Sequence, residues 1–595
     1  MRNLALSDEI LLSVEKPARY IGNEVNSVVK DGGVVAIRFA LCFPDVYEIG
    51  MSNLGMQILY GLMNSYDDVW CERVFSPWVD LDRILRDENI PLFALESQEA
   101  IKGFDFVGFS LQYELCYTNV LQMLRLSRIS LLASERTEDE PLVIGGGPCT
   151  VNPEPLAAFF DLFYIGEGEV VLRSLLDLYK EGKEKGRSRR DFLLAAAMLP
   201  GIYVPSLYNV HYFADGRLSA MHPIHADLPQ RVKKVHVHDL STAFYPTHPV
   251  VPFIQATQDR VVLELQRGCF RGCRFCQAGH IYRPVREKSA ERIKQLAVEM
   301  LKNTGYDEVS LSSLSSSDYS ALGELCDFLI DECQAQRTSI SLPSLRIDAF
   351  SLEIMKRIEN VQKKSLTFAP EAGSERLRAV IKKGLSEDEI LAGAAAAFSC
   401  GYSRVKLYFM LGLPTEDAAD ILAIGRLADK IAAVFYDTVP KEERRGRVQI
   451  GVSTSFFVPK PHTPFQWEPQ DGQAAFLEKA YLCRQGINES LNKKSIRYSW
   501  HETDQSVLEC AFARGDRRLS DVILKAFEKG ACYDAWSEHY RHDVWLAAFA
   551  ETGLEMDFYT TRQRAVDELF PWDVLDVGVT KEYLWRERER AYEDS

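Results

Sequence analysis

Hydrophobic positions fall first into a solid run at residues 33–43 (GVVAIRFALCF), which predicts a buried strand. A Pro-Asp turn follows, and then MSNLGMQILYGLMN (51–64) with a helical period. FDFVGFSL (104–111) predicts a second strand, with a helix from about 114 to 127. PLVIGGG (141–147) reads as a strand ending in three glycines, and DLFYIGEGE (161–169) as a short strand ending at another glycine turn. Strands alternating with helices predict a doubly wound parallel sheet, a Rossmann-like first domain over residues 1–205. The charged stretch YKEGKEKGRSRRD (179–191) reads as a solvated helix end and loop.

Residues 206–255 carry many His and Pro and no clear period, which predicts a linker covering one face of the next domain. From 260 the alternation resumes. Strands are expected at 261–268, 308–314, 339–347, 364–370, 404–411 and 448–458, with helical stretches between them. Six βα units progressing in one direction predict a partial barrel over 256–470. Residues 471–595 are rich in helix formers and Trp and read as an α-rich C-terminal domain. The fold class expected is therefore α/β.

The formal net charge is −16, which argues against a nucleic-acid footprint spread over the whole surface and leaves room for a local basic groove. The first residues lack the apolar core and cleavage site of a signal peptide, and no uncharged apolar run is long enough to span a bilayer, so a cytoplasmic location without membrane contact is expected. Ten of the thirteen cysteines are scattered, as small buried hydrophobes usually are.

The other three stand together in RGCFRGCRFCQAGH (267–280), as C-x3-C-x2-C on Cys269, Cys273 and Cys276. Random placement of thirteen cysteines produces this spacing on the order of 0.006 times in such a chain. Thiolates suit iron–sulfur clusters, and three of them on one short loop can hold three irons of a cubane while the fourth stays open. Gly268 and Gly272 fit a loop wrapped closely round a cluster. Zinc remains an alternative, with His280 as the fourth ligand. The loop follows a strand that opens a barrel, where βα barrels place their chemistry.

C-x3-C-x-aromatic-C, with Phe275 as the aromatic, resembles the signature of the radical S-adenosylmethionine (SAM) superfamily. The resemblance implies a partial (β/α)6 barrel and a [4Fe–4S] cluster whose open iron takes the amino and carboxylate groups of SAM. It also implies reductive cleavage of SAM to methionine and a 5′-deoxyadenosyl radical that abstracts hydrogen from a substrate. Carried along the chain, it places the backbone of Phe275 at the adenine and the Ser312–Asp318 stretch, Ser315 within it, where many relatives have Gly-Gly-Glu for the SAM amino group. Ser344 and Arg346 then end the third strand, with a guanidinium suited to the SAM carboxylate. Glu371 matches the acidic residue at the ribose, and Leu411 with Gly412 and Pro414 the fifth-strand turn beside the adenine.

Over nearly the whole chain the sequence resembles a bacterial subfamily of radical SAM proteins with an N-terminal cobalamin-binding-like domain. The matching stretches are EKPARYIGNE (15–24), FPDVYEIGMSNLG (43–55), IGGGPCTVNPEP (144–155), FAPEAGSERLR (368–378), FVPKPHTPFQW (457–467) and ARGDRR (513–518). Cobalamin domains of this kind often carry Asp-x-His-x-x-Gly after the first strand. Here the run is Asp45-Val46-Tyr47-Glu48-Ile49-Gly50, and a phenol with a pKa near ~10 is a poor neutral ligand. Cobalamin is thus held without a protein nitrogen or not held, with Ser110 and Gly145–Gly147 placed where its nucleotide tail would lie.

Gly166-Glu167-Gly168-Glu169 reads as a turn, and Glu538, His539 and His542 as an ordinary helix face. His462 and His501 follow segments close to the barrel mouth. The leading expectation is an enzyme that modifies an unknown substrate, RNA or protein among the candidates. Methylation is favoured with cobalamin and methylthiolation without it, and a donor such as flavodoxin or ferredoxin supplies the electron. An iron–sulfur carrier or sensor without radical catalysis is the rival.

Overall fold

The computed structural model describes residues 4–336, 338–341, 366–444 and 446–595. The N-terminal sheet comprises β1 (Ile37–Phe43), β2 (Val69–Phe75), β3 (Phe106–Ser110), β4 (Leu142–Gly146), β5 (Leu162–Tyr164) and β6 (Ile202–Tyr203). Their order is β2-β1-β3-β4-β5-β6, and every pair is parallel except β5 with β6. Helices Leu54–Asn64, Tyr117–Leu126 and Leu172–Glu184 connect the strands.

β2 and the two-residue β6 are the strands of this sheet that the apolar pattern misses, and β2 is the longer. All seven of its residues are buried, Glu72 and Arg73 among them. The two charges interrupt the hydrophobic run but are neutralised in three dimensions. Arg73 lies 2.7 Å from Glu24 and 2.6 Å from Glu96, and Arg38 lies 2.6 Å from Glu72. The expected linker likewise holds short strands: the hairpin of β7 (Tyr208–Tyr212) and β8 (Leu218–Pro223), then β9 (Val232–Lys233). A two-residue strand has no period to read.

In the barrel, β10 (Val261–Glu264) leads into β11 (Gln266–Arg267). β11 pairs antiparallel with β12 (Arg286–Glu287), and β13 (Glu308–Ser312) and β14 (Ser339–Ser341) follow. The second half is β15 (Leu366–Glu371), β16 (Arg404–Leu411), β17 (Gln449–Phe456) and β18 (Ile496–Trp500). Strands run parallel in the orders β10-β13-β14 and β15-β16-β17-β18. Each of the six expected barrel positions carries a strand, and β18, beyond residue 470, continues the sheet. Val405, Leu407, Phe409 and Leu411 of β16 pack under helices Glu387–Ser399, Ala418–Thr438 and Gln473–Glu489. Arg404, Lys406 and Tyr408, alternating with them, face the opposite, inner side.

Helices Thr503–Ala513, Leu519–Glu528 and His542–Thr552 share one core with the N-terminal sheet, through Leu508, Phe512, Val522, Ile523 and Trp545. The last strand, β19 (Leu575–Asp576), pairs with β9, and helix Lys581–Glu593 returns to the start of the barrel. No helix among the described residues is long and apolar enough to cross a membrane.

Candidate functional site

β11 and β12 pinch the two ends of the cysteine loop together. Gly268 has φ +86°, and a Cβ there would lie 2.8 Å from the carbonyl oxygens of Tyr282 and Pro284, so only glycine lets the loop close. Gly272, at φ +73°, turns the chain between the first two cysteines. The Gly279 amide donates to Cys276 Sγ at 3.4 Å. Burial pushes the Cys276 thiol up to about 11, and the neighbouring Cys273 and Cys269 add to the rise.

Among the described residues no three His, Cys, Asp or Glu side chains converge on one metal ion. A cubane takes one thiolate per iron, and three thiolates on one short loop suit three of its irons. His280 Nδ1 lies 2.8 Å from the Cys276 carbonyl, its Nε2 is buried without a hydrogen-bond partner among the described residues, and burial lowers its pKa to about 4.

Cations and carboxylates fix this loop from several elements. Arg271 pairs with Asp318 at the end of β13. Arg274, between the second and third cysteines, is buried, donates to the Val380 carbonyl at 2.8 Å and pairs with Asp594 at 2.8 Å. Lys382 reaches Glu587 at 2.8 Å, so the C-terminal helix holds the loop from outside. Arg267, directly before Gly268, meets Glu264 at 2.8 Å, Glu169 at 2.7 Å and Glu167 at 3.0 Å. Glu167 also pairs with Arg286 at 2.8 Å. The Gly-Glu-Gly-Glu turn, read from sequence as a turn alone, thus carries two carboxylates from the N-terminal sheet to the cluster loop. The signal available in the sequence was its two glutamates flanking glycines at a strand end.

The sequence-named SAM contacts fall as follows. Phe275 packs with Leu377, Ile381, Phe457, Phe465 and Ala591. Ser315 is buried, its amide donating to Ser313 Oγ at 3.2 Å and its carbonyl accepting from Gln266 at 3.2 Å. Glu371 has φ +67°, and burial raises its carboxyl pKa despite Lys383 at 3.2 Å. The Leu411 side chain lies in the outer core, so only its backbone is offered at the turn, where Gly412 (φ +86°) donates to Glu416 at 2.9 Å. Ser344 and Arg346 lie outside the described residues. His462 is buried, with Nε2 2.9 Å from the Val151 carbonyl and its pKa pushed down to about 4 by burial, while His501 ends β18 exposed.

A cavity of about 460 Å³ begins against the N-terminal sheet at Phe39 and Gly108 and passes Ser110, Gly146 and Gly147. It ends on Glu264, Arg267 and Gly268 beside the cysteine loop. Its size and its apolar wall with a few polar groups are those of a ligand site. Residues 45–50 do not line it. Tyr47 is buried on another side, donating to Glu24 at 2.9 Å.

A parallel βα half-barrel with a three-cysteine loop after its first strand, joined to a doubly wound sheet by a shared cavity, defines an α/β enzyme of the iron–sulfur kind. Family models assign both parts: "Radical SAM proteins, N-terminal" matches residues 55–205 and "Radical SAM superfamily" matches 263–428. The chain belongs to the radical SAM superfamily and is a radical SAM enzyme. It is similar to the Methanocaldococcus jannaschii protein MJ0966, at 29% identity over 522 residues, 87% of this chain and 97% of that one. Among solved structures it is similar to the cobalamin-dependent SAM radical enzyme OxsB (13% identity, TM-score 0.46, 94% of this chain and 80% of that one). It is also similar to the radical SAM methyltransferase TsrM from Kitasatospora setae (13% identity, TM-score 0.45, 72% and 75%).

Proposed function

We propose that the chain is a cobalamin-dependent radical SAM methylase. Cys269, Cys273 and Cys276 would hold a [4Fe–4S] cluster, whose open iron binds SAM and, when reduced, cleaves it to a deoxyadenosyl radical. The donor set fits: three thiols stand on one short loop, and both Cys273 and Cys269 act on the Cys276 thiol. Phe275, Ser315, Glu371 and the Leu411 turn stand as SAM contacts on this reading, with Ser344 and Arg346, and flavodoxin or ferredoxin as the electron donor.

One observation carries the cobalamin part. A single cavity runs from the face of the N-terminal sheet to the cluster loop, floored by Gly146 and Gly147 at one end and walled by Arg267 and Gly268 at the other. Cobalamin held there would lie between sheet and barrel, with its tail along Ser110, Gly146 and Gly147 and no lower ligand from residues 45–50. Cobalamin supplies a transferable methyl group. The chain's own part is to seal that group against water and to hold the corrin wall with the Glu169–Arg267–Glu167 ion pairs.

The test is anaerobic reconstitution with hydroxocobalamin followed by gel filtration. The wild-type protein should emerge brown and red and form 5′-deoxyadenosine after reduction. Gly146 tolerates a Cβ, its nearest neighbour being 4.0 Å away, so Gly146→Trp fills the cavity without straining the backbone. That variant should stay brown and lose the red, whereas Cys273→Ala should lose the brown and all turnover. A wild-type protein that emerges without the red would remove the methylase reading, and a Gly146→Trp protein that still binds cobalamin would remove this cavity as its site.

A further inference from the structure

We propose that the inner face of the second half-barrel binds a phosphorylated substrate, its anion held between Lys406 and Arg497. This deepens the reading above, resting on it only in taking the bound molecule as the one modified.

The parallel register sets Lys406, Gly451 and Arg497 side by side on β16, β17 and β18. Their buried neighbours Val405, Ile450 and Ile496 pack on the outer helices, so this row faces inward. Strands lie about 4.8 Å apart, which places the two cationic residues roughly 10 Å apart across Gly451, a span that two long side chains close around one oxyanion. Gly451 does not have a left-handed φ, and a Cβ there would meet nothing nearer than 3.9 Å. Neither backbone nor packing requires glycine, and its effect is to leave the floor between the two cations low. Arg404, two residues before Lys406, adds a third positive charge on the same face.

Arg267, Arg271, Arg274, Lys382 and Lys383 each have a carboxylate partner. Among the described residues Arg404, Lys406 and Arg497 have none, and all three are exposed. Three uncompensated cations on one concave face, in a chain of net charge −16, form a local field that attracts anions.

Toward the cluster the same face carries Tyr408, Ser453 and Ser499 in the next row, then Met410 and Ser455. From Lys406 to Leu411 β16 rises about 16 Å, so a molecule with its phosphate in the cationic row must be extended to present a carbon at the cluster end. Hydroxyls along that path suit a sugar phosphate or ribonucleotide.

Calorimetric titration of the reconstituted full chain tests this with ribose 5-phosphate, ribose, inorganic phosphate and a ribonucleotide trimer. Ribose 5-phosphate should bind more tightly than phosphate, and ribose should not bind. Lys406→Gln with Arg497→Gln should weaken ribose 5-phosphate roughly a hundredfold, two charge-assisted contacts being lost. Gly451→Leu, which raises the floor, should weaken it too, and Lys494→Gln should change nothing. Tighter binding of the trimer, lost in the same variants, would assign the phosphate to RNA rather than to a metabolite. Absence of binding to the wild type, equal binding of phosphate and ribose 5-phosphate, or unchanged binding in the double variant would each overturn the proposal. Deoxyadenosine formation is read separately, so a failed radical reaction and a failed phosphate site are told apart.

Discussion

His462 illustrates what burial does to a single side chain. In the unfolded chain it titrates near its ordinary value, about 6.5, and in the fold burial lowers it to about 4. A lowered pKa on a base means that the neutral form is the one the fold holds. The stability it contributes is complete above pH 6.5 and is lost as the pH falls towards 4. At pH 5 the loss is about 2 kcal/mol. His462→Asn should flatten the fall in unfolding free energy between pH 7 and pH 5 by that amount, and an unchanged acid profile would show that His462 is not held neutral. The His462 Nε2 bond to the Val151 carbonyl joins the FVPKPHTPFQW segment to the N-terminal sheet. Lys460 of that segment, half-buried between Glu114 (2.6 Å) and Glu509 (2.8 Å), joins it to the C-terminal helices as well. The sequence singled out His462 as close to the barrel mouth and Lys460 only as a member of a resembling segment, and it revealed neither partner, since Val151 and Glu114 lie more than 300 positions away.

Among the elements, the helix Lys581–Glu593 has the least obvious role from its sequence, which is highly charged and only weakly amphipathic. In the fold it presents Glu587 to Lys382 and lies, with Asp594, beside Arg274. Arg274 is buried between two cluster cysteines, and removing its carboxylates leaves an uncompensated buried charge, which costs about 3 kcal/mol. Glu587→Ala combined with Asp594→Ala should therefore lower the melting temperature and hasten loss of the brown absorbance in air, while Glu593→Ala at the exposed end should do neither. Equal cluster lifetimes in the two variants would show that the helix does not hold the loop. The strands divide by how they are buried. β1, β3 and β4 were legible because both of their faces are apolar, whereas β2 hides Glu72 and Arg73 inside a sheet that neutralises them. β18 was not separated from the helix-rich stretch around it, because it is five residues long with alternating polar positions.

At the scale of the whole molecule, the N-terminal sheet is completed by residues some 400 positions later. Phe512, Val522, Ile523 and Trp545 lie in its core, and Trp545 Nε1 donates to the buried Asp534, which also accepts from Thr118 beside the sheet. A fragment of residues 1–205 would expose that apolar surface and should show no cooperative thermal unfolding, where the full chain shows one transition for both regions; a sharp transition in the fragment would contradict this. The cavity has the same long-range origin, since one wall belongs to the sheet and the other to the barrel's first loop.

The sequence by itself determined the α/β class, the six barrel strand positions and the C-x3-C-x2-C loop, because these depend on local spacing and on runs of like residues. The tertiary structure alone decided that Glu167 and Glu169 meet Arg267, that the C-terminal helices complete the first core, and that Lys406 and Arg497 flank Gly451. Each of these joins positions far apart in the chain, and whether a charge is paired or left bare depends on neighbours that only folding supplies.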